Sequence, residues 1–295
     1  MIKVFLDTNI LYSDKRKIFN KPEFGGEFFR IIKKAKVLNK FSDIIKIFIP
    51  EIAVLEFKHN CVEEFCRQKT QIDSYNANLK EIFGDNLTHK AKISWTTIDE
   101  YKQYLDSKID LYINDNVENF TLLKTPDCLN KIITKAVSKQ PLFKEAKFGE
   151  KTYYDAGLKD NLILETCLTN LSENETGIIF TKDSDFNYEQ LNLYIVKSLD
   201  DFEEKVKELC PDYAIYDILS ELDDHKVDIL SYLEEDYDSS LSIVGFTKEI
   251  CEYDEEEDTI KFVVIVTINN DVKHLILTYN KYMQTIVDVI EKEKT

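Results

Sequence analysis

Met1-Ile2-Lys3-Val4-Phe5-Leu6 runs directly into Asp7-Thr8-Asn9, and the reading of this stretch decides the fold. An apolar run of this length bounded by polar turn residues reads as a strand buried on both faces, as in a parallel sheet. It delivers Asp7 to the carboxyl end of the strand. In open α/β sheets that edge is where ligands bind, because loops and helix N-termini converge on it. The arrangement recurs late in the chain, where Gly177-Ile178-Ile179-Phe180-Thr181 leads into Lys182-Asp183-Ser184-Asp185-Phe186. Two buried strands thus each end in acid.

Between them the apolar periodicity alternates between strand and helix. Phe28, Phe29, Ile31, Ile32, Ala35 and Leu38 recur at helical spacing, with Arg30, Lys33, Lys34 and Lys36 on the polar side. Ile44-Ile45-Lys46-Ile47-Phe48-Ile49 is a second strand, stopped by Pro50, which opens a helix at a first-turn position. Glu51 suits the helix dipole as a capping acid, and Glu56 follows in the second turn between Leu55 and Phe57. Residues 62–138 read as a helical insertion without a convincing strand. Its tyrosines Tyr75, Tyr101, Tyr104 and Tyr112 are expected to be half-buried, and Trp95 to pack. A basic loop over 139–153 precedes a helix over 156–171, with Asp155 as its N-cap, Asp160 in its second turn and Glu165 on the surface ahead of a supporting place behind the site. Leu193-Tyr194-Ile195-Val196 is a last short strand, and the α/β unit closes near residue 200. The remainder, 201–295, reads as helices, an antiparallel meander and a terminal helix over 281–292, a smaller α+β domain.

Composition narrows the classes. At 295 residues the chain is long enough for one sizeable core and an appended unit. No apolar run approaches the roughly 20 residues of a bilayer span, and Met1 leads straight into a strand, so a cytoplasmic protein without a membrane is expected. Six scattered cysteines and four histidines lack zinc-site spacing, which points to reduced, mostly buried thiols. The net charge of −17 is uneven: residues 201–295 hold 25 acids against 9 lysines, so residues 1–200 are nearly neutral. Within these, residues 15–40 carry nine basic side chains against two acids, and residues 131–159 seven lysines against three. Such stretches are compatible with a phosphate backbone, whereas the acidic unit would repel one.

Asp7, Glu56, Asp160 and Asp183 all fall at carboxyl strand ends or in the first turns of the helices that follow. Right-handed crossovers bring such positions to one sheet edge. Two carboxylates about 4 Å apart repel by roughly 4 kcal/mol at an effective dielectric near 20, so four together call for a cation. Oxygen donors without His or Cys favour Mg²⁺ or Mn²⁺. Such a site suits phosphoryl chemistry.

These residues resemble the PIN-domain nucleases, in a bacterial branch with a long helical insertion and an extra C-terminal unit. The resemblance rests on the strand into Asp7-Thr8-Asn9, on Pro50-Glu51-Ile52-Ala53-Val54-Leu55-Glu56-Phe57, on Gly157-Leu158-Lys159-Asp160-Asn161-Leu162-Ile163, and on Thr181-Lys182-Asp183-Ser184-Asp185-Phe186. It implies a Rossmann-like parallel sheet flanked by helices over 1–200, and metal-dependent hydrolysis of RNA ahead of DNA. It also implies one or two metal ions on Asp7, Glu56, Asp160 and Asp183, with Asp185 auxiliary, Asn9 bracing the first loop and Thr181 orienting Asp183 or a water. Lys15, Arg16, Lys17, Arg30, Lys33, Lys34, Lys144, Lys147, Lys151 and Lys159 would then hold backbone phosphates. The expected role is an endoribonuclease, as a toxin or phage-defence effector. Its acidic 201–295 unit would bind a protein partner or make a homodimer. A non-catalytic PIN-like interaction module and a structure-specific DNA nuclease are the alternatives. A haloacid-dehalogenase-type phosphatase is disfavoured because Asn9 stands where that chemistry wants a second Asp.

Overall fold

The computed structural model describes the chain except residues 41–42, 85–88, 141, 149–150, 185, 187, 189–191, 237–240, 255–258, 269, 281, 284 and 292–295. It falls into two compact units, one formed by Met1–Ala35 and Ile44–Lys205, the other by Lys36–Asp43 and Val206–Thr295.

In the first unit β1 (Ile2–Leu6) is followed by a 3-10 turn, Thr8–Ile10, and then by α1 (Glu27–Asn39), whose last turn belongs to the other unit. β2 (Ile45–Pro50) passes directly into α2 (Glu51–Phe83), with Pro50 as the N-cap in extended conformation rather than inside the first turn. Then come α3 (Ile98–Asp115), β3 (Thr121–Leu123), α4 (Leu129–Val137), β4 (Lys144–Phe148), β5 (Lys151–Ala156), α5 (Leu158–Thr169), β6 (Thr176–Phe180), β7 (Leu193–Val196) and α6 (Leu199–Leu209), whose residues from Val206 on belong to the other unit. The sheet order is β3-β2-β1-β6-β7, and every pairing in it is parallel. β1 is central and buried on both faces, as an all-parallel sheet with helices on its faces requires. The acid-ended strands β1 and β6 are direct neighbours, in register Leu6 with Phe180.

Three local expectations are corrected. The insertion holds a strand, β3, paired with Phe48–Pro50 of β2. Three residues give too short a pattern to register, and only the neighbour β2 makes them a strand. The basic stretch 139–153 is largely a hairpin, β4 with β5, and Asp155 lies in β5. Helix α5 therefore starts later, capped by Gly157 in the left-handed region at φ 102°. A Cβ there would stand 1.6 Å from the Leu142 carbonyl oxygen, so glycine is required on conformational and steric grounds alike. This cap sets where the next turn, with Asp160, begins.

A core beneath the sheet edge gathers Phe5, Ile163, Leu164, Cys167, Ile179 and Leu193. Phe24, Phe28, Phe57 and Phe120 form an aromatic group in which Phe24–Phe28, Phe24–Phe57 and Phe28–Phe120 meet edge to face and Phe24–Phe120 is tilted. In the insertion, buried Tyr101 stacks on Phe65 and donates to the Phe19 carbonyl, with Trp95 packed on both rings. Tyr104 and Tyr112 are half-buried, while Tyr75 is exposed.

The second unit contains α7 (Tyr213–Asp224), α8 (Lys226–Asp236) and an antiparallel sheet of β8 (Leu241–Asp254), β9 (Thr259–Ile268), β10 (Asp271–Asn280) and β11 (Thr285–Glu291), in order β11-β10-β9-β8. Alternating inward residues Ile260, Phe262, Val264 and Val266 of β9, with Leu275 and Leu277 of β10, make its core with Leu219, Leu222, Ile229 and Leu233. The expected terminal helix is instead β11, whose pairing with β10 outweighs a helix-compatible spacing. Cys61, Cys167 and Cys210 are buried free thiols, and Cys66 and Cys128 are half-buried. No helix among the described residues is long and apolar enough to cross a membrane.

Candidate active site

Asp7 sits where β1 ends, its side chain accepting the Thr8 amide at 2.6 Å and capping the 3-10 turn. Its other oxygen accepts the Asn9 amide nitrogen at 2.8 Å and the Thr181 hydroxyl at 2.5 Å. The Thr181 hydroxyl in turn accepts the backbone N–H of Asp183 at 3.0 Å and the Asn9 side-chain N–H at 3.3 Å. Asn9 completes the link by accepting the Lys182 amide at 2.9 Å. The loops after β1 and β6 are thereby locked together by Asn9 and Thr181, with Asp7 at their junction and Asp183 beside them.

Glu56 reaches the same place from the second turn of α2. Its carboxylate accepts the Thr8 hydroxyl at 2.8 Å, and the same hydroxyl also lies 3.3 Å from the Ala53 carbonyl. Asp160 arrives in the first turn of α5, one turn earlier than the sequence suggests because α5 starts at Leu158. Only Asp7 is fully buried; Glu56, Asp160 and Asp183 are half-buried. Burial pushes the Asp7 carboxyl up to about 6, against its hydrogen bonds with Thr181 and Thr8, and the charges of Asp160 and Glu56 push it further in the same direction. Tyr12 is likewise raised, by burial and then by Glu56 and Asp7. Glu56 and Asp160 are therefore each within electrostatic reach of Asp7. Asp185 lies outside the described residues.

Two further acids behave differently from expectation. Glu165 is 2% exposed rather than on the surface, because α4 covers it and supplies Lys131 at 2.6 Å and Lys135 at 2.7 Å. Burial alone would raise this carboxyl, yet the two ammonium groups outweigh it and hold it below the usual range. Glu51 accepts the Thr125 amide at 3.4 Å, so beyond its place in the first turn it ties α2 to the loop after β3.

The expected phosphate-contacting residues fall on several elements, and five of them are paired with acids. Lys159 is paired with Glu56 in the acid group itself. Lys15 lies 3.7 Å from Glu63, Arg16 and Lys17 both meet Asp14, and Lys34 meets Glu203 on α6. Arg30 and Lys33 are exposed on α1. Lys144, Lys147 and Lys151 lie on the β4–β5 hairpin. Sequence reasoning passed over Thr8 as the residue holding Glu56, although it sits inside the Asp7-Thr8-Asn9 stretch. It also passed over Arg67, whose i,i+3 spacing from Glu64 was a legible signal.

A PIN-domain family model matches residues 4–186, which include the last three residues of β1, all of β6 and all four acids. The chain belongs to the PIN-domain family. No curated protein and no solved structure matches it. The PIN domain places the protein in a nuclease-type family whose members typically bind divalent metals.

Among the described residues, no three His, Cys, Asp or Glu side chains form a ready-made metal-binding group. The donor chemistry nonetheless fits a hard divalent cation. The donors are all oxygens, Asp7 is oriented by three neutral hydrogen-bond donors, and the field of Glu56 and Asp160 disfavours its negative charge unless a cation arrives.

Proposed function

We propose that this PIN-domain protein is a Mg²⁺- or Mn²⁺-dependent nuclease that hydrolyses phosphodiester bonds, with RNA as substrate ahead of DNA. The observation carrying this reading is the state of Asp7: a buried carboxyl at a parallel-sheet edge, lifted to about 6 by burial and by two nearby acids. Buried acids with raised pKa values cluster at functional sites.

In this reading Asp7, Glu56, Asp160 and Asp183 hold one or two ions. When bound, the ion lowers the pKa of a coordinated water and stabilises charge at phosphorus during in-line displacement. The chain supplies the rest. Thr181 and Asn9 fix the Asp7 carboxylate, and Thr181 holds the loop carrying Asp183 through its backbone N–H. Thr8 fixes Glu56, and Lys159 supplies local positive charge next to it. Above pH 6 Asp7 is ionised and fit to accept a cation.

The test is cleavage of labelled single-stranded RNA and DNA with Mn²⁺, Mg²⁺ or EDTA, with Asp7→Asn beside wild type. Metal-dependent cutting lost in the variant is expected; undiminished cutting by Asp7→Asn would overturn the reading. The reading extends to a growth-arresting toxin or phage-defence effector, since hydrolysis of cellular RNA stops growth. Induced wild type, but not Asp7→Asn, should then halt its host. The acidic 201–295 unit suits a protein partner or a homodimer better than a phosphate backbone, given its 25 acids against 9 lysines.

One observation favours a second reading, a non-catalytic interaction module. Lys159 already provides Glu56 with a counter-cation. That reading requires that millimolar Mg²⁺ or Mn²⁺ leave the thermal midpoint unchanged, whereas ions binding the folded state raise it by mass action.

A further inference from the structure

The long helix α2 carries Glu56 into the acid group and then continues for several more turns. Glu63 lies seven residues beyond Glu56 and Arg67 eleven, which at 3.6 residues and about 5.4 Å per turn puts them on the same helix face, about 10 and 16 Å along the axis. On that face a cavity of about 350 Å³ opens between α2 and the loop after Leu11, lined by Lys15, Arg16, Glu63, Glu64 and Arg67.

Its two guanidinium groups are held before any ligand arrives. Glu64, nearly buried, grips Arg67 through Nε at 2.8 Å and Nη2 at 2.5 Å, and also accepts Gln68 at 2.6 Å. Asp14 grips Arg16 in the same side-on way, at 3.1 and 3.3 Å, and accepts its backbone N–H at 3.0 Å. Each fork engages Nε and Nη2 and leaves the Nη1 N–H groups directed elsewhere, since a guanidinium has five donors. Arg67 is among the charges acting on Arg16, so the two lie within electrostatic reach. Lys15 is the third cation, 3.7 Å from Glu63, which also meets His59 at 3.3 Å, and its charge acts on Glu64 too. Asp14, Glu63 and Glu64 hold the three cations in place, so the selectivity comes from the two pre-oriented forks, which suit a tetrahedral oxyanion better than a nucleobase because Arg donates in matched pairs to phosphate oxygens.

The geometry points to a phosphate-binding subsite at Lys15, Arg16 and Arg67, which seats a phosphate of the substrate strand one or more nucleotides from the linkage held at Asp7 and Glu56. This rests on the nuclease reading for its substrate, and it fixes the direction in which the strand leaves the acids: along α2. The same chemistry fits an internal phosphate or a terminal 5′-monophosphate.

The test is binding in EDTA, where no cleavage intervenes. A short 3′-labelled single-stranded RNA is titrated by anisotropy at several salt concentrations against wild type and the double variant Lys15→Gln/Arg16→Gln. Both side chains are more than half exposed, so folding is preserved. The expected result is a five- to tenfold loss of affinity and a salt slope shallower by about 0.7 per lost phosphate contact. A walk of neutral methylphosphonate linkages along the RNA, read on the wild-type protein, should reproduce that loss at one position only and add nothing in the variant. If removing the 5′-phosphate alone reproduces it, the source is the terminus; if not, an internal linkage. A variant with wild-type affinity and slope overturns the subsite whatever the cleavage assay gives, as does a wild type that binds no strand. Binding that depends on Lys15 and Arg16 without metal-dependent cutting overturns the nuclease reading and leaves the subsite standing.

Discussion

Asp7 and Glu165 are two buried acids in one α/β unit, at 5% and 2% exposure, and their surroundings are opposite. Around Glu165 the fold supplies two ammonium groups, and the carboxyl is held low. Around Asp7 it supplies three neutral donors and two further acids, and the carboxyl is held high. Burial alone therefore does not distinguish a strut from a site. What distinguishes them is whether the protein itself compensates the charge.

Replacement of each acid should separate the two regions. Asp7→Asn should lower metal-dependent cleavage about a thousandfold or more, as loss of a reaction-bearing group does, with folding retained by circular dichroism. The same variant should gain stability in the absence of metal. A carboxyl raised from 3.8 to about 6 makes folding stability fall as pH rises through that window, by at most about 3 kcal/mol. Subtracting the Asp7→Asn denaturation curve from wild type at pH 4 and pH 7 should expose that slope; a flat difference would show that Asp7 is not strained.

Glu165→Gln should do the reverse. Breaking a buried pair whose lysines keep partial access to water should cost about 2 kcal/mol, below the full penalty for a sealed pair. Because this carboxyl is held low, its contribution is present above the ordinary Glu range and is lost as pH falls. Urea midpoints at pH 7 and pH 3 should converge between wild type and variant, and cleavage at pH 7 should survive. Thr181→Val removes the hydroxyl that donates to Asp7 and accepts the Asp183 N–H. A loss of about 1 kcal/mol and a further rise in the Asp7 titration midpoint, followed by carboxyl-carbon NMR, are expected. The smallest stability change belongs to Lys159→Met. Its ammonium is half exposed, so stability should shift by under about 1 kcal/mol. Yet the variant leaves Glu56 uncompensated like Asp7, so the rise in thermal midpoint with Mn²⁺ should be larger than in wild type.

Legibility in the sequence followed the range of the contacts. β7 was read residue for residue, because Leu193 to Val196 is a local apolar run between polar turns. Strand β3 was missed, since only its pairing with Phe48–Pro50 makes Thr121–Leu123 a strand. Thr285–Glu291 reads as part of a helix because an amphipathic spacing on one strand of a meander is ambiguous until β10 lies beside it. Asp155 looked like a helix cap by composition, while the cap is Gly157, chosen by a clash with the Leu142 carbonyl fifteen residues away in sequence.

By itself the sequence determined the parallel α/β class, the strands that end in Asp7 and Asp183, and the family. Strand period, turn residues and the order of acids are local properties, written in consecutive residues. Only the tertiary structure decided which acids are compensated. The lysines that neutralise Glu165 stand 30 and 34 residues away, and the hydroxyl that holds Asp7 stands 174 residues away. Charge compensation depends on distance in space and on exclusion of water, and neither is encoded in the spacing of residues along the chain.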